Sequence, residues 1–151
     1  MTKVIVFDMD GTLADFFNVK GWLDYLYAEN TLPYEIAEPL YDMAELREIL
    51  NALKIKGYLV AVTSWLSKGS TKDFENATRK AKIDWLNKYG FPYDELHLVK
   101  YGTTKANCTR HHKGYQILVD DNEKIRKGWN LGDTINANEN IIPKLKELMS
   151  H

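Results

Sequence analysis

Residues 4–13 read V4-I-V-F-D8-M-D10-G-T-L13. The near-continuous apolar run Lys3–Phe7 is that of a strand buried on both faces. Asp and Gly are poor strand formers, so the strand stops at Asp8 and a turn begins. Two carboxylates two positions apart then bring like charge into one small volume. Something must neutralise them.

The pattern continues outward from that stretch. Residues 16–41 are aromatic and acidic, and Pro33 and Pro39 break them into short helical pieces. Met43, Leu46, Ile49, Leu50 and Leu53 recur at helix spacing, and Gly57 ends that helix. Tyr58–Val62 reads as a second buried strand. Residues 71–89 read as a helix with Phe74, Ala77, Ala81, Trp85 and Leu86 on one side. Glu95–Val99 is a short strand, and a short helix is expected between Gly102 and Gly114. Tyr115–Val119 is a further strand, followed by Asp120-Asp121. A helix over 122–130, a small strand at 134–136 and a last helix over 141–149 complete the chain.

Strands alternating with helices through right-handed crossovers give a parallel sheet covered on both faces. The expected fold is therefore α/β, three-layer and Rossmann-like. It is expected to form one domain over 1–151 with a small helical cap insert at about 15–42. In such sheets ligands bind at the carboxyl ends of the strands. Asp8-Met9-Asp10, Thr63-Ser64 and Asp120-Asp121 all follow strands, so the fold gathers them on one edge.

Four carboxylates on one edge repel, by roughly 1 kcal/mol per pair at 4 Å even in water. A divalent cation removes the problem, and an all-oxygen donor set favours Mg²⁺ over Zn²⁺. Mg²⁺ often takes one or two carboxylates together with a substrate phosphate. Donors for that phosphate are the hydroxyls of Thr63 and Ser64 and the backbone N–H groups of the turn after Asp8, beginning with Met9. A lysine completes the set, with Lys105 and Lys113 as candidates. Asp8 can then attack phosphorus to form an aspartyl-phosphate. Asp10 can protonate the leaving oxygen and later take a proton from water.

Net charge is −1, with 44% hydrophobic and 27% charged residues, so overall charge points to neither nucleic acid nor membrane. Cys108 is the one cysteine, which excludes an internal disulfide and suits a cytoplasmic location. The four apolar residues between Lys3 and Asp8 are too few for a signal-peptide core, and no apolar run reaches membrane-span length.

D-M-D-G-T resembles the first motif of the haloacid dehalogenase-like phosphatases. Thr63 after a strand, Lys105 and Asp120-Asp121 resemble the other three, in order. The resemblance implies Asp8 as nucleophile and Asp10 as acid/base. It also implies Mg²⁺ on Asp8, the Asp10 backbone carbonyl and one or both of Asp120 and Asp121. Thr63, Ser64 and Lys105 would hold the phosphate. K-I-D-W-L-N-K-Y, V-K-Y-G-T-T-K-A-N and I-L-V-D-D-N-E-K-I-R-K-G-W are similar to the bacterial and phage branch of the 5′(3′)-deoxyribonucleotidase family. There the lysine sits in a Y-G-T-x-K setting, which favours Lys105 over Lys113. That family acts on nucleoside, especially deoxynucleoside, monophosphates, and its cap lays aromatic rings over the base. The insert here is shorter than the cap of better-studied members, and Trp65 stands where some have proline.

Each residue also has a plainer reading. Asp120-Asp121 can open a helix, Thr63-Ser64 can end a strand, and Lys105 can be a solvated surface lysine. The aromatic group from Phe16 to Tyr27 reads first as core, with Phe16, Phe17, Trp22 and Trp65 as candidates to touch substrate. His111 and His112 read as solvated loop residues, because no acid or Cys stands at metal spacing from them. Cys108 reads as an apolar filler, and Trp85 and Trp129 as core.

The leading expectation is a Mg²⁺ 5′-nucleotidase. A polynucleotide 3′-phosphatase is the second, and a non-catalytic phosphate- or nucleotide-binding module the third. Asp15 to Glu45 carries seven acids and one base, which repels a polyanionic strand, whereas Leu66 to Lys113 carries ten Lys/Arg against five Asp/Glu. Retention of all four acids argues against the binding module.

Overall fold

The computed structural model describes residues 2–150. Strands β1 (Lys3–Phe7), β2 (Tyr58–Trp65), β3 (Glu95–Val99), β4 (Gln116–Asp120) and β5 (Thr134–Asn136) form one sheet in the order β3-β2-β1-β4-β5. All neighbours are parallel. The fold is α/β and Rossmann-like. The strand order reverses at β1, which lies between β2 and β4, so the crevice of such a sheet opens above the ends of β1 and β4.

After β1 come a 3₁₀ turn (Phe16–Asn18) and two short helices, α1 (Trp22–Tyr27) and α2 (Leu32–Ile36). The longer helices α3 (Met43–Ile55) and α4 (Lys72–Lys88) follow, then α5 (Ala106–Thr109), α6 (Glu123–Lys127) and α7 (Ile142–Leu148). The Asp15 N–H donates to the Glu38 carbonyl and the Leu40 N–H to the Leu13 carbonyl, each at 2.8 Å. The segment between them therefore leaves and returns beside the β1 turn.

Apolar alternation assigns the layers. Ile5, Phe7, Val60, Val62, Ile117 and Val119 pack with α3, α4 and α7, where Leu46, Leu50 and Leu53 are wholly buried. Each such side chain contributes roughly 1.5–3 kcal/mol relative to exposure. Val4, Val6, Ala61 and Leu118 face the other way, toward Ala106 of α5, Ile125 of α6 and Trp129. Asp42 caps α3 through the Ala44 and Glu45 N–H groups, and Thr71 caps α4 through the Phe74 N–H.

Some boundaries and one helix face differ from expectation: β4 is Gln116–Asp120 rather than Tyr115–Val119, and α6 ends at Lys127. Strand β2 runs on to Trp65 and takes in Thr63 and Ser64, because β3 pairs with it as far as Trp65↔Val99. On α4 the buried stripe is Phe74, Thr78, Ala81, Lys82, Trp85 and Leu86, and Ala77 is exposed. Trp85 and Trp129 are core, as expected. No helix among the described residues is long and apolar enough to cross a membrane.

Candidate active site

Strand alternation decides which acids meet. The Asp8 N–H donates to the Val119 carbonyl at 2.9 Å, so the ladder continues one residue past β1. Asp8 thus follows Val4 and Val6 onto the α5 side, and Asp120 follows Leu118. Lys105 enters that side at the start of α5. Its Nζ donates to Asp8 Oδ1 and Asp120 Oδ2, each at 2.8 Å, and all three residues are buried. Burial works to lower the Lys105 pKa, but Asp8 and Asp120 outweigh it and hold the ammonium above its ordinary value. Burial, together with Asp8, raises the Asp120 carboxyl.

The third acid of this cluster is held by Thr12. The Thr12 hydroxyl lies 3.1 Å from Asp8 Oδ2 and 3.3 Å from Asp121 Oδ1, and it accepts from the Asp121 N–H at 3.2 Å. Oxygens of Asp8, Asp120 and Asp121 fall within 4.8 Å of one another. Three carboxylates therefore cluster where the ammonium of Lys105 bonds only two of them, Asp8 and Asp120. Burial and the neighbouring Asp8 and Asp120 push Asp121 up to about 7. This hard, all-oxygen donor set fits Mg²⁺. Gly11 makes the closure possible: its φ is +81°, and a Cβ there would stand 2.5 Å from Asp121 Oδ2.

Asp10 faces a different cation. Lys82 Nζ donates to Asp10 Oδ2 at 2.9 Å, to Ser64 Oγ at 2.8 Å and to the Trp65 carbonyl at 2.9 Å. Lys82 is wholly buried, while the Asp10 side chain keeps 18% of its surface open. Burial raises the Asp10 carboxyl despite the lowering effect of Lys82. An ammonium only donates, so Ser64 accepts from Lys82 and keeps its own hydroxyl hydrogen for another partner.

Asp8, Asp10, Ser64, Lys105, Asp120 and Asp121 floor a cavity of about 470 Å³, a size usual for small-molecule sites. Its walls are aromatic: Phe16, Phe17, Trp22, Tyr34, Trp65 and Tyr101 line it with Ser64 and Lys68. Phe16 stacks on Tyr34 at 4.6 Å between centroids, and Phe17 meets Trp22 edge-on at 5.1 Å. Trp65 packs on Tyr101 at 4.9 Å, and its Nε1–H donates to the Thr103 carbonyl at 2.8 Å. Phe16 and Tyr34 are buried and Phe17 is half exposed, so the cluster is both packing and cavity wall.

The cavity brings together Asp8, Asp10, Ser64, Lys105, Asp120, Asp121, Phe16, Phe17, Trp22 and Trp65. Met9 turns its side chain into the core at 1% exposure, which leaves only its backbone for a ligand. Thr63 does not line the cavity; its Oγ1 is buried with no hydrogen-bond partner among the described residues. Lys113 is exposed, and Lys105 is the lysine at the acids. Sequence reasoning missed Lys82 and the clamp made by Thr12. One expectation is corrected outright. An acid does stand at metal spacing from His111 and His112, namely Glu95, brought there by the pairing of β3 rather than by any local spacing. No family model matches the chain, and no curated protein matches it.

Proposed function

We propose that the protein is a Mg²⁺-dependent phosphomonoesterase of the haloacid dehalogenase type, acting on nucleoside, preferentially deoxynucleoside, 5′-monophosphates. The observation that carries this reading is the shared cavity. Asp8 and Asp10 open into it beside a three-carboxylate cluster and two buried lysines, and aromatic rings wall its other side.

The roles follow from the contacts. Lys105 and Thr12 fix the Asp8 carboxylate, which attacks phosphorus while the ester P–O bond breaks. Asp10 is biased toward its protonated form by burial and gives its proton to the leaving oxygen. The Asp10 carboxylate then takes a proton from water. That water attacks phosphorus, the phospho-aspartyl bond breaks, and inorganic phosphate leaves with Asp8 regenerated. Ser64 and Lys105 supply donors to phosphoryl oxygens. Asp8, Asp120 and Asp121 would hold Mg²⁺, which when bound offsets charge on the transferring phosphoryl group. The aromatic wall suits the π-face of a base. The acidic composition of residues 15–45 disfavours a polyanionic strand. The single cysteine suits a reducing cytoplasmic setting for this reaction.

The test is phosphate release from deoxynucleoside 5′- and 3′-monophosphates, ribonucleotides, sugar phosphates and an oligonucleotide bearing a 3′-phosphate, with Mg²⁺ and with EDTA. Mg²⁺-dependent release fastest on free deoxynucleoside 5′-monophosphates is expected. Release confined to the oligonucleotide would make the protein an end-processing phosphatase. Nucleotide binding without turnover would make it a binding module.

A further inference from the structure

A second group of ligand-type side chains lies apart from the carboxylate cavity. Glu95 and His97 stand two apart on the edge strand β3, beside Ala61 and Thr63 of β2, so both face the α5 side of the sheet. His111 and His112 follow α5 in the loop that leads to β4. His97 Nε2 lies 3.0 Å from Glu95 Oε1, and His112 Nε2 lies 2.5 Å from Glu95 Oε2. The His111 and His112 rings are 4.1 Å apart. One ligand atom from each of Glu95, His111 and His112 falls within 4.8 Å of the others.

We propose that Glu95, His111 and His112 form a second metal site for a borderline divalent ion of the Zn²⁺ class, with His97 as the positioning residue that orients Glu95. Two imidazoles and a carboxylate make a nitrogen–oxygen donor set of the kind Zn²⁺ takes, unlike the all-oxygen set around Asp8. An ion about 2.0–2.2 Å from each ligand needs donors roughly 3.3 Å apart, so the Glu95–His112 pair opens from 2.5 Å while the His111 ring turns in from within 4.8 Å. His111 is exposed, and its ring can turn onto the ion without disturbing the core. Binding displaces the proton between His112 Nε2 and Glu95 Oε2.

A simple ion-pair network accounts for His97, Glu95 and His112 but leaves His111 without a part. Two rings this close repel once both are protonated, whereas both can give a nitrogen lone pair to one cation. His97 holds the oxygen of Glu95 that His112 does not, as outer partners of metal ligands do. The site also has a structural consequence. Helix α5 has Lys105 at its start and His111-His112 just beyond its end. A metal there ties the far end of α5 to the edge strand and braces the segment that presents Lys105.

The test is Co²⁺ and Zn²⁺ titration of the full chain, without a histidine tag, in excess Mg²⁺ so that the carboxylate cavity is filled. One equivalent of Co²⁺ is expected to give the visible absorption of a nitrogen-ligated, low-coordinate ion, and Zn²⁺ is expected to displace it. Zn²⁺ at a hundredfold excess over its Kd is expected to raise Tm by about 5–10 °C. His97→Ala should weaken binding about 10–100-fold, and His111→Ala more. His111→Ala keeps the Glu95–His112 contact, so its loss of binding is not a folding failure. Asp121→Asn should leave the spectrum unchanged. Absence of a nitrogen-type spectrum, or binding insensitive to His111→Ala, overturns the site.

Discussion

Lys82 Nζ and Asp10 Oδ2 form a 2.9 Å ion pair in which the lysine is wholly buried and the acid reaches the cavity. The same ammonium holds Ser64 and the Trp65 carbonyl, so one side chain orients the proposed acid/base and a phosphate donor together. Lys82→Met is expected to lower kcat at least about tenfold on nucleotides with a smaller change in KM. The loss should be smaller on p-nitrophenyl phosphate, whose leaving group departs without a proton. Equal losses on both substrates would assign Lys82 to structure alone.

Lys105 separates Asp8 from Asp120, and without it two buried carboxylates face each other with no cation between them. Removing one partner of a buried ion pair costs about 3–5 kcal/mol. Lys105→Met should therefore unfold at lower urea than wild type when Mg²⁺ is absent, and saturating Mg²⁺ should recover part of the difference. Turnover should stay low in both conditions, since the phosphate loses its buried cation.

The pH dependence is set by Asp121, raised from 3.8 to about 7. Between those values the folded chain binds more protons at this group than the unfolded chain does. Its contribution to stability is full below about pH 4 and is lost as pH rises through 7. Mg²⁺ competes for the same oxygens, so its affinity should rise with pH up to about 7 and then level off. Calorimetry in buffers of different ionisation heat should show proton release on Mg²⁺ binding at pH 6 and little at pH 8. Equal proton release at both pH values would contradict this origin.

Phe17 lines the cavity while half exposed, which leaves ring surface for a base. Base–aromatic stacking is worth about 1–3 kcal/mol per base, so Phe17→Ala should raise KM for nucleotides roughly 5- to 150-fold. KM for ribose 5-phosphate should not move. A common rise on both substrates would show that the ring shapes the cavity rather than reads the base.

The site was legible where its signal is local. The apolar run ending in D-M-D-G-T carries its own strand and turn, and Asp120-Asp121 follows a second such run. Lys82 was hidden because a helical lysine in a segment with ten Lys/Arg reads as solvated. Its signal was phase: it falls on the same helical face as Phe74, Thr78, Ala81 and Trp85, a face that is otherwise buried. Thr63 and Ser64 look alike in the sequence because the apolar run of β2 ends at Val62. With β2 reaching Trp65, period-two alternation sends Ser64 toward Lys82 and Thr63 to the opposite face. The Glu95–His112 contact depends on how β3 and the α5 loop pack, and no spacing in the sequence encodes it.

The central claim is a covalent phosphoryl step at Asp8. Wild-type protein mixed with Mg²⁺ and a deoxynucleoside 5′-monophosphate, quenched in acid within a turnover, is read by peptide mass spectrometry. One phosphoryl group on the peptide carrying Asp8 is expected, absent with EDTA and absent in Asp8→Asn, whose phosphate release should fall at least about 10³-fold. Turnover at the wild-type rate by Asp8→Asn would contradict the account.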